Sequence, residues 1–255
     1  MKIDYTNDFS NKVVLITGGS TGIGRATALA FAQRGAAVSI GAQSEKSTET
    51  VAQIKKAGGR AIFVRTDVTR ASDVEQLVKK TVTEFGGLHC AFNNAGALPP
   101  TQSLAEVDED TFDKTISVDL KGVFLCLKYE IRYMVNMGGG AIVNMASVAG
   151  VVADPDMAPY VAAKHGVVGL TRSAALDYAK KGIRVNAVAP GLVESSMTRR
   201  WLADPDIRGR LLVNSPAGRA AQPEEISGMV LFLCSPAASF ANGGVYILDG
   251  GQTAH

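Results

Sequence analysis

The chain has 255 residues, of which 46% are hydrophobic and 20% charged, and its formal net charge is +2. A chain of this length buries roughly three-quarters of its unfolded surface, so it needs neither disulfides nor a metal to fold. The balance of 26 basic and 24 acidic residues argues against a nucleic acid or a membrane surface as a partner.

Short apolar segments rich in valine and isoleucine alternate with longer helical segments. Strands that are apolar on both faces and alternate with helices indicate a parallel sheet with helices on both faces. An α/β fold with a doubly wound sheet of about seven strands is therefore predicted. The predicted strands are 12–18, 36–42, 61–67, 88–96, 141–147, 183–191 and 245–251, and the main predicted helices are 22–34, a polar helix ending at 57, 72–85, 111–137, 159–181 and 223–234.

Neither a repeat nor a linker divides the chain, so residues 1–255 are predicted to form a single domain. A cofactor-binding half is expected at about 10–145, and a catalytic and substrate-binding half at about 146–255. The least regular segment, 191–222, follows a late strand and is predicted to form a lid over a pocket.

The first predicted strand runs into a glycine-rich turn, TGGSTGIG at 17–24. Glycine permits positive φ angles and the close approach of a phosphate, which the N-terminus of the following helix attracts. The position between the first strand and first helix favours a dinucleotide bound in a Rossmann-type fold. The alternative is a tight turn without a ligand. The residues predicted to hold the dinucleotide here are Gly18, Ser20, Thr21, Gly22, Ile23 and Gly24.

The segment after the second predicted strand bears on the choice of dinucleotide. Sites specific for NAD usually have a carboxylate here that binds the ribose hydroxyls, whereas this chain reads GAQSEKS at 41–47. A missing carboxylate removes repulsion against a 2′-phosphate, to which Gln43, Ser44 and Lys46 are able to donate hydrogen bonds. The sequence therefore favours NADP(H) over NAD(H), with a solvated loop as the alternative.

The cysteines and histidines have no pattern typical of a metal site. Cys90, Cys126 and Cys234 each lie in an apolar segment, so buried free thiols are expected. The histidines at 89, 165 and 255 are scattered. The polar N-terminal segment does not fit a signal peptide, and no apolar run approaches membrane-spanning length. Metal and membrane binding are therefore not expected, and a cytoplasmic location is predicted.

Several motifs follow one another in a recognisable order. They are TGGSTGIG, the pair Asp67-Val68, NNAG at 93–96, Ser147 in NMASV, YVAAK at 160–164, RVNAVAPG at 184–191 and LDGG at 248–251. Tyr160 follows Ser147 by 13 positions. With these motifs and this spacing, the chain resembles the short-chain dehydrogenase/reductase family over nearly its whole length.

The resemblance implies an NAD(P)-dependent oxidoreductase that interconverts a secondary alcohol and a ketone, of the carbonyl reductase or alcohol dehydrogenase type. Asp67 would bond the adenine amino group, with the Val68 backbone beside it. Ser195 stands where the family more often has threonine. The other residues that the resemblance places on the cofactor are Asn94, Ala95 and Gly96 behind the nicotinamide, and Pro190, Gly191, Val193 and Ser195 around its carboxamide.

Tyr160 and Lys164 lie four residues apart, which places both side chains on one face of a helix. Hydride transfer to a ketone leaves negative charge on its oxygen, which requires a proton donor and a hydrogen bond. A free tyrosine, with a pKa of about 10, is a weak acid at neutral pH, and a nearby ammonium ion favours its phenolate. Tyr160 is therefore expected to be the general acid/base, with Lys164 tuning it and both lining the cofactor. Ser147 is expected to orient the carbonyl; a strand-end serine is the alternative.

One departure from the family concerns Asp119, in SVDLKG at 117–122. The family usually has an asparagine here, which helps to hold a water that connects the lysine to solvent. An aspartate accepts the same hydrogen bonds and adds a negative charge beside Lys164. Asp119 is therefore predicted to keep the relay and to shift its pH profile. The alternative is an aspartate on a helix surface.

The substrate pocket is expected to have an apolar wall that suits alkyl or aryl ketones and secondary alcohols. Arg199 and Arg200 are candidates for contact with a carboxylate or a carrier-protein phosphate, although such a pair is more often a solvated helix face. The residues predicted to form the wall are Leu98, Val151, Val152, Met157, Leu192 and Trp201.

The resemblance also implies a homotetramer, assembled through the helices at 111–137 and 159–181 and the last strand. Three alternatives to a carbonyl reductase remain open. Two belong to the same family, a 3-oxoacyl-carrier-protein reductase and a sugar dehydrogenase. The third is a sensor that binds the dinucleotide without turnover.

Overall fold

The computed structural model of the protein describes residues 8–254. One parallel sheet has the strand order β3-β2-β1-β4-β5-β6-β7. Its strands are β1 (Val13–Thr17), β2 (Ala37–Ala42), β3 (Arg60–Arg65), β4 (Cys90–Asn93), β5 (Gly140–Met145), β6 (Ile183–Pro190) and β7 (Val245–Leu248). The helices are α1 (Gly22–Gln33), α2 (Ser47–Lys56), α3 (Ala71–Phe85), α4 (Glu109–Ile116), α5 (Gly122–Asn136), α6 (Ala158–Tyr178), α7 (Arg199–Ala203), α8 (Pro205–Val213) and α9 (Pro223–Cys234).

Helices cover both faces of the sheet, as the apolar strands require. Every residue of β1 and β2 is buried, so neither face of these strands meets water. Phe31 and Val230 pack on one face, from α1 and α9, whereas Leu77 and Val167 pack on the other, from α3 and α6. The prediction of a doubly wound α/β sheet of seven parallel strands is confirmed.

The strand order reverses between β1 and β4, which are hydrogen-bonded neighbours. From β1 the chain first moves outward through β2 and β3, and then crosses back to β4 and continues in the other direction. In open α/β sheets, ligands bind at the carboxyl ends of the strands where the order reverses. The fold therefore places its binding crevice beside Thr17 and Asn93, where β1 and β4 end.

The predicted helix over 111–137 differs from the observed structure. A π-helical turn at Ser117–Lys121 separates α4 from α5. A π turn inserts one residue into the helical path and therefore rotates the side chains that follow. Asp119 lies within this turn and is fully buried.

The segment predicted as a lid, 191–222, contains the short helices α7 and α8. The Asp204 side chain caps α8 by accepting hydrogen bonds from the backbone N–H groups of Asp206 and Ile207, and Pro205 occupies the first turn. The segment is thus more helical than its irregular sequence indicated.

The described residues include two histidines, His89 and His165, and neither belongs to a cluster of potential metal ligands. The ring Nδ1 of His89 accepts a hydrogen bond from the Val13 N–H, and burial, with help from Lys12, lowers the pKa of this imidazole. His255 lies outside the described residues. Cys90, Cys126 and Cys234 are buried free thiols, as predicted. None of the helices within 8–254 has both the length and the apolar character needed to cross a bilayer.

Candidate active site

The glycine-rich turn is built so tightly that only glycine fits at two of its positions. Gly18 has a φ of 72°, and a Cβ there would lie 2.8 Å from Nδ2 of Asn94. A Cβ on Gly24 would collide with the Gly18 carbonyl. The missing side chains allow the turn to pack against Asn94 and to lead directly into α1, whose N-terminal N–H groups can bind a phosphate.

Asn94 joins this turn to the end of β4. Its Nδ2 donates to the carbonyls of Thr17 and Gly18, at 3.0 and 3.1 Å. The Thr17 hydroxyl in turn accepts from the backbone N–H groups of Asn94 and Ala95, each at 3.1 Å. The motifs TGGSTGIG and NNAG, which lie far apart in sequence, therefore form one hydrogen-bonded unit.

A cavity of about 870 Å³ opens at the carboxyl ends of the strands. This volume lies within the range of sites that bind cofactors and small molecules. Gly24 and Asp67, which were also predicted to bind the cofactor, lie outside its lining. The predicted cofactor-binding residues that line it are Gly18, Ser20, Thr21, Gly22, Ile23, Gln43, Ser44, Val68, Asn94, Ala95, Gly96, Tyr160, Lys164, Pro190, Gly191, Val193 and Ser195.

Ser147, Tyr160 and Lys164 line the same cavity. Tyr160 and Lys164 project from one face of α6, and Nζ of Lys164 lies 5.3 Å from the centroid of the Tyr160 ring. Ser147 lies two residues after the end of β5, and its Oγ accepts a hydrogen bond from the Ala149 N–H at 3.2 Å. The structure therefore brings together the three residues that the sequence singled out from separate segments.

Asp119 forms a buried ion pair with Lys164. Its Oδ1 lies 3.1 Å from Nζ of Lys164, and the two side chains are 0% and 2% exposed, so Asp119 is not a surface residue. The Asp119 carboxylate also accepts from the Ala97 N–H, with the nearer oxygen at 3.1 Å. Nζ of Lys164 donates to the Met145 carbonyl at 3.2 Å.

The charge on Lys164 is set by two opposing effects. Burial disfavours the ammonium form, whereas the neighbouring Tyr160 and Asp119 favour it. The neighbours outweigh burial and hold the pKa of Lys164 above its ordinary value. Lys164 is therefore a cation at neutral pH.

Asp67 is engaged by its own loop. Its Oδ1 accepts from the N–H and the hydroxyl of Thr69, at 2.9 and 2.7 Å. Partial burial raises the pKa of this carboxyl, but the hydrogen bonds from Thr69 and Gln43, together with the charge of Arg70, outweigh it and lower the pKa.

The far end of the cavity has a largely apolar wall. Leu98, Met157, Leu192 and Trp201 line the cavity, whereas Val151 and Val152, also predicted for the substrate wall, are 42% and 40% exposed and lie outside it. The lining also includes residues that the sequence analysis did not name individually, seven of them in the segment 191–222. Among these residues are Thr101, Asp154, Pro155, Ser196, Met197, Thr198, Ile207, Arg210, Leu211, Asn214 and Gln252, most of which fall in the segments 97–102, 148–157 and 191–213 that were predicted to line the pocket.

Arg199 and Arg200 are absent from this lining. Arg199 borders a neighbouring groove between α1, α7 and α9, and both arginines are exposed. Within residues 8–254 no histidine, cysteine and carboxylate side chains cluster in the arrangement of a metal site.

Comparison with known proteins agrees with this geometry. A family model described as enoyl-(acyl carrier protein) reductase matches residues 18–253. A cis-4-hydroxycyclohexanecarboxylate dehydrogenase of Sinomonas cyclohexanicum is 44% identical, over 96% of this chain and 98% of the relative. A cyclohexanol dehydrogenase of Acinetobacter sp. (strain SE19) is 41% identical, over 97% of each chain.

A crystal structure of an Agrobacterium tumefaciens protein with bound NADP superposes with a TM-score of 0.91 and 32% identity, over 99% of this chain and 100% of that one. The fold, the cavity and these relatives define an NAD(P)-dependent oxidoreductase that interconverts an alcohol and a ketone. The chain belongs to the short-chain dehydrogenase/reductase family.

Proposed function

We propose that the protein oxidises cyclic secondary alcohols and reduces the corresponding ketones, with Tyr160 as general acid/base, Lys164 as its cationic partner and Ser147 orienting the substrate oxygen. The observation that carries this proposal is the meeting of all three side chains at an apolar cavity. Apolar walls with few converging polar groups suit a hydrocarbon ring that bears a single oxygen.

The residues of the cavity fit a nicotinamide dinucleotide. The absence of Cβ atoms at Gly18 and Gly24 allows the turn to pack tightly against Asn94 at the start of α1, where the backbone N–H groups of the helix N-terminus would hold a pyrophosphate. Asn94, Ala95 and Gly96 would line the nicotinamide, with Pro190, Gly191, Val193 and Ser195 around its carboxamide. When bound, the dinucleotide supplies the hydride for ketone reduction and accepts it in alcohol oxidation.

In the direction of reduction, Tyr160 gives its phenolic proton to the substrate oxygen as negative charge develops there. The hydroxyl of Ser147 donates a hydrogen bond to the same oxygen. The ammonium ion of Lys164, whose Nζ lies 5.3 Å from the centroid of the Tyr160 ring, stabilises the tyrosinate that remains. Opposite charges attract more strongly in a buried site than in water. The reverse sequence moves the proton from the alcohol to Tyr160.

Asp119 keeps Lys164 charged and in place. Without a counter-ion, an ammonium group that is 2% exposed would lose its proton more readily. With Asp119 on one side and the Met145 carbonyl on the other, Nζ is fixed beneath the Tyr160 ring. We assign to Asp119 the relay position that the family usually gives to asparagine.

NADP(H) is the proposed cofactor. The end of β2 contributes Gly41, Ala42 and Gln43 to the cavity, followed by Ser44. None of these four residues carries a negative charge that would repel a 2′-phosphate. Gln43 and Ser44 would offer an amide N–H and a hydroxyl as hydrogen-bond donors to that phosphate.

The substrate class follows from the apolar wall and from the relatives. Leu98, Met157, Leu192 and Trp201 form the wall, and two relatives act by name on a hydroxycyclohexanecarboxylate and on cyclohexanol. Arg210 and Asn214 extend the lining at the lid. A six-membered carbocyclic alcohol is therefore the proposed substrate.

A substrate panel with both dinucleotides tests the proposal. We expect turnover of cyclohexanol and cyclohexanone, with a kcat/KM higher than for a 3-oxoacyl thioester or an aldonic acid. A preference for the thioester would identify an acyl-carrier reductase, and a preference for the aldonic acid a sugar dehydrogenase. Dinucleotide binding without turnover of any of them, unchanged in Tyr160→Phe, would identify a sensor and contradict the proposal.

We also propose a homotetramer in the cytoplasm. Large apolar side chains are exposed on the predicted contact elements, with Phe124 on α5 at 46%, Leu176 on α6 at 83% and Ile247 on β7 at 43%. Light scattering coupled to size-exclusion chromatography tests the assembly. A Leu176→Glu variant is expected to lower the mass, and a monomeric wild-type protein would contradict the assignment. The buried free thiols are compatible with a reducing compartment.

A further inference from the structure

Four buried polar side chains form a hydrogen-bonded chain behind the active site, outside the lining of the cavity. It consists of Glu130 on α5, Asn93 on β4, Asn144 on β5 and Thr171 on α6, and each of these side chains is at most 1% exposed. Asn93 and Asn144 are paired residues on adjacent strands. None of the four belongs to the cavity lining.

Three hydrogen bonds of 3.0 Å connect the chain. Nδ2 of Asn93 donates both to Oε2 of Glu130 and to Oδ1 of Asn144. Nδ2 of Asn144 then donates to the hydroxyl of Thr171. The amide group of Asn93 therefore uses both of its N–H donors, so the Glu130 end of this hydrogen-bonded set has no spare donor.

Two acceptors at that end have no partner. Oε1 of Glu130 and Oδ1 of Asn93 are both buried without a hydrogen bond in the described part of the chain. An unpaired buried polar atom is costly, and a buried, unpaired carboxylate is more so. A single added proton resolves both deficits, since a neutral carboxyl group pairs with a carboxamide through two hydrogen bonds.

The surroundings of Glu130 contain no cation that would stabilise a carboxylate instead. None of the ion pairs within 8–254 includes Glu130. On α6, the ammonium group of Lys164 is engaged by Asp119 and Met145, and the buried residues of α3 are Val74, Leu77, Val78 and Thr81, none of which titrates. The buried thiol nearest to Glu130 in its own helix is that of Cys126, whereas Cys90 on β4 packs in the core on the other face of the sheet, with Phe31 and Val230.

Burial raises the pKa of Glu130 to about 7, against a smaller opposing effect from the Asn93 hydrogen bond. Burial and the nearby Glu130 also raise the pKa of Cys126, so this thiol stays neutral and provides no charge. The raised pKa of Glu130 thus favours the same protonated form that would satisfy the two unpaired acceptors, Oε1 of Glu130 and Oδ1 of Asn93.

We propose that Glu130 is a positioning residue that carries a proton in the folded protein and donates it from Oε1 to Oδ1 of Asn93, which holds the carboxyl ends of β4 and β5 against α5 and α6. Asn93 precedes Asn94, which closes the glycine-rich turn. Asn144 precedes Met145, whose carbonyl accepts from Lys164. Asn94, which holds the glycine-rich turn, and Met145, which holds Lys164, are therefore each next in sequence to a residue of this hydrogen-bonded set.

The first test compares the wild-type protein with Glu130→Gln across pH. Glutamine has the same shape and keeps both hydrogen bonds to Asn93 with no proton to lose. Because the pKa is raised from 4.5 to about 7 on folding, the protonated form stabilises the wild type fully below pH 4.5, and this stability is lost as pH rises to about 7. We expect equal Tm values at the acid end and a higher Tm for Glu130→Gln at pH 8.

Exposed Glu84, near the end of α3, provides the matched control. The Tm difference between the wild type and Glu84→Gln should not vary with pH in the same window. A Glu130→Gln protein that is less stable than the wild type at every pH, or by an amount independent of pH, would overturn the proposal.

The second test observes the proton and its effect on the site. Infrared difference spectra at pH 6 should show a neutral carboxyl C=O band that is lost in Glu130→Gln and kept in Glu84→Gln. Titration with NADPH, which requires no turnover, should show a Kd that increases from pH 6 to pH 8 more in the wild type than in Glu130→Gln. An absent band refutes protonation, and an identical Kd profile in the two proteins refutes the positioning role.

Discussion

Gly96 and Asp119 are packed so closely that a Cβ on Gly96 would lie 2.7 Å from Oδ1 of Asp119 and 3.6 Å from Nζ of Lys164. Gly96 closes the NNAG segment, and Asp119 lies in the π turn between α4 and α5. The glycine therefore provides the space in which the buried ion pair forms.

We expect Gly96→Ala to displace the Asp119 carboxylate, to lower the free energy of unfolding by roughly 1–3 kcal/mol and to reduce kcat. Gly169 on α6 is the matched control, since nothing lies within 4 Å of a Cβ at that position. Gly169→Ala should leave kcat unchanged and stabilise the helix by about 0.5–1 kcal/mol. Chemical denaturation and steady-state kinetics measure both variants. Unchanged kcat in Gly96→Ala would show that the ion pair tolerates displacement.

Tyr160→Phe removes the proposed proton donor and leaves the aromatic ring in place. We expect kcat to fall about 10²–10⁴-fold, the usual range for loss of a general acid. Dinucleotide Kd and Tm should stay close to the wild-type values, because the ring still packs beside Lys164. Stopped-flow measurement of ketone reduction and fluorescence titration separate the two effects. A variant that retains most of its kcat would transfer the role of acid to another group.

Asp119→Asn tests the charge beside Lys164. Burial lowers the pKa of Lys164, whereas Tyr160 and Asp119 raise it and outweigh burial. Replacing the carboxylate with an amide removes one of the two raising effects, so the pKa falls and the ammonium form is lost at a lower pH. The high-pH limb of the kcat profile should therefore move to lower pH. If kcat and its pH dependence are both unchanged, Asp119 has no part in the relay.

Ala42→Asp tests the cofactor preference. Ala42 ends β2 and lines the cavity, and a carboxylate there would repel a 2′-phosphate and accept from ribose hydroxyls. We expect the ratio of kcat/KM for NADPH to that for NADH to fall at least tenfold, or about 1.4 kcal/mol. Ala57→Asp, on an exposed position after α2, should not alter the ratio. A wild-type protein that already prefers NADH would overturn the NADP(H) assignment directly.

The fold was predictable because its signals are local. Runs such as VVLIT in β1 and AVSIGA in β2 are apolar at successive positions, and their alternation with helices defines a parallel sheet. The residues Ser147, Tyr160 and Lys164 were predictable for a different reason, since their types, order and spacing resemble one family.

The surroundings of these residues were not predictable to the same degree. The π turn at Ser117–Lys121 contains Asp119, whose buried ion pair with Lys164 joins different helices and has no local signal in the sequence. Val151 and Val152 are apolar residues near Ser147, yet the direction of the chain after the short helical turn at Val148–Gly150 leaves them outside the cavity. Glu130 is a charged residue in an apolar helix, and only the packing of α5 shows that it is buried.

The hydrogen bond from Lys164 to the Met145 carbonyl connects α6 to the end of β5, two residues before Ser147. A displacement of β5 therefore carries the anchor of the lysine and the serine in the same direction. In the proposed mechanism, Ser147 and the Tyr160–Lys164 pair would therefore shift together with β5, which would preserve their alignment on the substrate oxygen.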